Sequence, residues 1–106
     1  MDVKIKLNTG EGIGSIKTKK IVGDLYAIII TAKEDVDIKI ISEMGYDILD
    51  ILQFSGVDYF PIRVQNKDKK GHGFNYQADC FFLNEPIIIS ISGGKDRDVD
   101  IILRIK

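Results

Sequence analysis

Residues 24–42 read DLYAIIITAKEDVDIKIIS. How this stretch folds decides the architecture. DLYAIIITA is a continuous apolar run of strand length, and KED (33–35) has the composition of a turn. The following VDIKIIS alternates, with Val36, Ile38 and Ile40 on one face and Asp37, Lys39 and Ile41 on the other. The pattern predicts a β-hairpin with a short loop. The C-terminal stretch repeats the device. EPIIISIS (85–92) sets Ile87, Ile89 and Ile91 on one face, GGKDRD (93–98) reads as a turn, and Val99, Ile101, Leu103 and Ile105 point inward after it. Asp100, Ile102 and Arg104 then face outward. DVDI occurs in both places, at 35–38 and 98–101, and reads as the opening of a return strand used twice.

Composition agrees with strands. The 106 residues include 20 isoleucines and only three alanines, the reverse of a helical bundle's choice. Branching at Cβ stiffens the side chain and suits a pleated, half-buried surface. The length predicts one domain over 1–106. A net charge of −1 argues against a dedicated nucleic-acid binder and leaves little repulsion to oppose self-association. The N-terminus has no apolar signal core. The longest apolar runs of the chain, YAIII and PIII, fall far short of a membrane span, so no membrane partner is expected.

Elsewhere the chain reads as more of the same. VKIKL puts Val3, Ile5 and Leu7 on one face and Lys4 and Lys6 on the other; TGEGIGS then turns; SIKTKKIV (15–22) reads as a polar edge strand guarded by lysines. Residues 1–20 therefore form an N-terminal arm or an edge strand. Residues 42–54 fit a helix capped by Ser42, with Met44, Ile48, Ile51 and Leu52 as its stripe, or a hairpin turning at EMGY. Gly45 and the flanking strands favour the hairpin. VDYFPIRVQ is extended, with Pro61 blocking a ladder bond. The sum is an all-β, antiparallel β-sandwich, jelly-roll or immunoglobulin-like, of about eight short strands.

Each sign of chemistry has a plainer explanation. Asp96, Asp98 and Asp100 mimic the first alternate ligands of a calcium loop, but Ile101 stands where the loop needs glycine. GEGIGS lacks the Gly-Lys-Ser/Thr ending of a phosphate loop. His72, the one histidine, sits between glycines in a polar loop, and Cys80, the one cysteine, sits in an apolar flank. The lysines of NKDKKGHG precede Phe74 and Tyr76 but are interrupted by Asp68. No catalytic residue, metal or cofactor is expected. The residues that ask for a partner are apolar ones on the wet side of strands: Tyr59, Phe60 and Pro61 in the extended segment, Phe81 beside Phe82, and Ile88 and Ile102.

Tyr59 to Gln65 (YFPIRVQ) and Phe82 to Gly94 (FLNEPIIISISGG), following the run from 24, resemble the small β-sandwich structural proteins of tailed bacteriophage virions. The likeness spans about residues 23–106 and carries no catalytic residue. It implies a virion component made in the host cytoplasm, a capsid decoration or cement protein that binds the major capsid protein and acts as a homo-oligomer. A head–tail connector or tail-associated protein is the second form of that reading. A carbohydrate-binding or adhesion sandwich is a further one, though the chain has no tryptophan.

Overall fold

The computed structural model describes residues 1–62, 64–67, 73–78 and 81–106, with side chains up to Ile62 and from Phe82 onward. Among the described residues nine strands follow one another: β1 (Asp2–Asn8), β2 (Ile13–Lys17), β3 (Ile21–Ser42), β4 (Asp47–Pro61), β5 (Val64–Lys67), β6 (Gly73–Ala78), β7 (Phe81–Glu85), β8 (Ile87–Gly93) and β9 (Asp98–Ile105). Every pairing is antiparallel. The all-β architecture expected from the sequence is present. Its strands are not all short, however, for β3 has 22 residues and β4 has 15.

A straight 22-residue strand would be about 70 Å long, whereas the molecule's longest axis is 45 Å. β3 therefore bends. Its ends come together, since Ile21 lies opposite Glu85 and Ser42 opposite Ile87, with only Pro86 between those partners. One face of β3 stays buried through the bend: Ile28, Ile30, Ala32, Val36, Ile38 and Ile40 are all at most 3% exposed. The sheet buries that face by curling onto itself, and its concave side becomes the core.

The curl makes two layers. In the first, β1, β9, residues 21–32 of β3 and residues 57–61 of β4 lie side by side, and β7 continues the line of β4. In the second, β2, β8, residues 36–42 of β3 and residues 47–54 of β4 lie in the same order. The alternations read from the sequence fill the interior. Ile87, Ile89 and Ile91 of β8 and Val99, Ile101, Leu103 and Ile105 of β9 are all buried. Each such side chain stabilises the fold by about 1.5–3 kcal/mol relative to exposure. β5 and β6 pair with each other.

Two expected hairpins are corrected. KED does not reverse the chain: Ile30 pairs with Ile101 and Ile38 with Ile91, so β3 bends at residues 33–35 and continues as one strand. Nor do β8 and β9 pair with each other. Each lies along its own half of β3, pointing the same way, and residues 94–97 step across the bend. β1 and β2 do the same along β9 and β8, with Gly10 to Gly12 at the corner. Turn-rich sequence marks only where extended pairing breaks. Whether the chain then reverses or continues depends on the neighbours it finds far away in sequence.

Those neighbours meet at the corner. The buried Thr9 hydroxyl donates to the Gly94 carbonyl (2.6 Å) and accepts from the Arg97 N–H (2.9 Å). The Arg97 side chain reaches the Asp35 carbonyl and the Glu34 carboxylate (3.2 Å). The Asp96 N–H donates to the Gly10 carbonyl (2.8 Å). Three connections, 9–12, 33–35 and 94–97, are thus tied where β1 passes to β2, β3 bends and β8 passes to β9. The real reversal is at 42–46, as the hairpin reading expects. Gly45, at φ 94°, donates to the Ser42 carbonyl (2.9 Å), and the Tyr46 N–H donates to the Ser42 hydroxyl (3.0 Å).

Candidate binding surface

The outer face of the first layer gathers apolar side chains by register. Ile102 of β9 pairs with Ile29 of β3, and Ile29 pairs with Tyr59 of β4, so these three form a row. Ile29 and Ile102 are half-buried, while Tyr59 is 49% exposed. The next row ends on Val57, which is 72% exposed, beside Thr31. Phe82 of β7, 64% exposed, stands opposite Asp24 along the same margin. Tyr26 carries the ammonium of Lys106 over its ring at 5.0 Å and the Arg104 guanidinium at 6.0 Å. The result is an apolar ridge of Tyr59, Val57 and Phe82 with a flatter isoleucine floor beside it. Bulk apolar groups held in water on one face are the physical signature of a contact surface.

The structure sorts the residues singled out from the sequence. Tyr59 and Ile102 come together through Ile29, which the sequence reading passed over. Phe60 turns the other way, packs against the core opposite Ile28 and meets Phe54 edge-on at 5.8 Å. Pro61 is exposed at the end of β4. Ile88 lies on the outer face of the second layer beside Ile41, away from the others. The Phe81 side chain lies outside the described residues; its backbone pairs with Leu25. Phe82 lies on the surface. Its signal was present in the sequence, since adjacent residues of a strand face opposite ways.

The aspartates of the two DVDI segments serve the backbone and its neighbours. Asp37 accepts the N–H of Gln53 (2.8 Å), where β4 carries an extra residue in the left-handed region at φ 55°. The amide of Asn8 donates to Asp96 (2.9 Å) and to Asp98 (2.8 Å), joining the two carboxylates by one side chain. Asp100 points outward between Lys6 and Thr31. Among the described residues no group of three or more His, Cys, Asp or Glu converges on a point. Gly10 and Gly12 of GEGIGS belong to the corner between β1 and β2. His72, Cys80 and the side chains of the lysine-rich loop lie outside the described residues.

No family model and no characterised protein matches the sequence. Among solved structures, the chain is similar to the coconut allergen cocosin, with 8% identity and a TM-score of 0.37 over 97% of this chain and 26% of that one. It is also similar to a chain of infectious bursal disease virus, Gx strain, with 8% identity and a TM-score of 0.30 over 96% of this chain and 32% of the other. The chain spans about a quarter to a third of the length of these neighbours. At such scores neither likeness bears on function.

Proposed function

We propose that this chain is a non-enzymatic assembly protein of a tailed-phage virion, in the first place a capsid decoration or cement protein that docks on the coat lattice through the outer face of its first layer. The observation that carries the assembly reading is the row of Ile102, Ile29 and Tyr59 flanked by exposed Val57 and Phe82. Burying such a patch against a partner supplies the apolar centre of an interface, and repetition over a lattice makes weak single contacts collectively strong. The virion assignment rests on the resemblance of YFPIRVQ and FLNEPIIISISGG, with a head–tail or tail-associated position as its second form.

The test is co-sedimentation with purified empty heads, against the chain alone. The native chain is expected in the pellet only with heads. The double variant Tyr59→Asp, Phe82→Asp is expected in the supernatant with its circular dichroism unchanged, because both side chains already face water. A native chain that stays in the supernatant with both heads and tails contradicts the proposal.

A further inference from the structure

Among the described residues, the two outer edges of the curled sheet carry opposite charge. β1 and β2 make one edge, and residues 2–20 hold Lys4, Lys6, Lys17, Lys19 and Lys20 against Asp2 and Glu11. β4 makes the other; its 15 residues hold Asp47, Asp50 and Asp58 and no lysine or arginine. Each edge also leaves apolar groups in water, Ile13 and Ile16 on the first and Leu52 and Val57 on the second.

Register and direction match these edges to each other. Across the second layer one outer row runs Lys17, Ile88, Ile41, Asp47. Across the first it runs Lys4, Ile102, Ile29, Tyr59. Each row begins on a lysine and ends on an aspartate or a tyrosine ring. Each layer is four strands wide in strict alternation, so its two edge strands point in opposite directions. A copy placed alongside in the same orientation therefore continues the antiparallel order without any strand reversing.

We infer that copies of this chain join head to tail, the lysine edge of β1 and β2 in one copy docking on the aspartate edge of β4 in the next. The inference rests on the assembly reading above and gives it a direction. It brings Lys17 to Asp47 as an ion pair and Lys4 to the face of Tyr59. Pairing like edges would set lysine on lysine or aspartate on aspartate, which selects against a two-fold dimer. A heterologous contact repeats, closing into a ring or growing as a filament. In the free chain one group on each edge is occupied internally: Lys17 pairs with Glu43 (3.4 Å), and Asp58 accepts its neighbour's N–H at Tyr59 (2.8 Å). Such local pairs blunt the edges until a copy displaces them.

The test is charge swapping read by sedimentation velocity. One variant carries Lys4→Glu, Lys6→Glu and Lys17→Glu; the other carries Asp47→Lys, Asp50→Lys and Asp58→Lys. All six side chains are exposed, and circular dichroism verifies the folds. The native chain is expected to shift to larger species with concentration. Its association constant is expected to fall about tenfold or more on raising salt from about 0.1 M to about 1 M, as the Debye length shrinks from about 10 Å to about 3 Å. Each variant alone is expected to remain monomeric, because its edges then share one sign. Their equimolar mixture is expected to assemble, since one brings two acidic edges and the other two basic ones. Variants that self-associate as well as the native chain overturn the inference, and so does a native chain that is monomeric at every concentration. If that monomer still sediments with heads, the proposed function stands and only the head-to-tail contact falls.

Discussion

Thr9 shows how much of this fold rests on single polar side chains at the corner. Its hydroxyl bridges Gly94 and Arg97 while wholly buried. Thr9→Val keeps the shape and removes both bonds, leaving a carbonyl and an N–H without that partner. It is expected to cost about 1–3 kcal/mol, read as a lower urea midpoint at unchanged slope. Gly14 is a second such point, because a Cβ there would stand 2.4 Å from the Asn8 carbonyl oxygen. Gly14→Ala is expected to lower the same midpoint, since backbone must shift to admit the methyl group. Neither role was legible in the sequence. TGEGIGS announces a turn, but nothing in those letters says that its threonine will bond to a loop 85 residues away. The outward aspartates were legible, since alternation alone placed Asp37 and Asp100. Phe60 was not, because the register of β4 against Ile28 decides which of two adjacent aromatics enters the core.

At the scale of the element, β3 carries the main lesson. Its two halves were each readable as strands, and Val36, Ile38 and Ile40 were correctly assigned to the inside from period two alone. What joins them is not legible in the sequence, because Lys33, Glu34 and Asp35 suit a hairpin loop and a bend equally well. The choice is made by β8 and β9, which arrive from the far end of the chain to pair with the two halves. A bend that depends on Glu34 and Asp35 meeting Arg97 responds to substitution differently from a loop. Replacing Lys33-Glu34 by Asn-Gly favours a tight hairpin, and here it is expected to lower stability by about 1 kcal/mol, the cost of glycine in extended chain. A gain in thermal midpoint would show that the residues form a loop after all. Because the two halves of β3 line one core, Ile30→Ala and Ile38→Ala are each expected to cost about 2–5 kcal/mol. Lys39→Ala, on the wet side next to Ile38, is expected to change the urea midpoint by less than about 0.5 kcal/mol equivalent.

Across the whole molecule, one curled sheet separates three surfaces with different tasks. The concave face is core, the outer face of the first layer exposes apolar side chains and is the proposed docking surface, and the two edges carry opposite charge. All three depend on β3 running unbroken from Ile21 to Ser42 with β8 and β9 laid along it in series. If the chain reversed at KED instead, Ile102 would not lie beside Ile29, and the row leading to Tyr59 would dissolve. The most direct measurement is the pattern of cross-strand backbone NOEs in an isotope-labelled sample. Contacts joining Ile30 to Ile101 and Ile38 to Ile91 are the expected result. Contacts pairing the two halves of β3 with each other, or β8 with β9 as a hairpin, would contradict it.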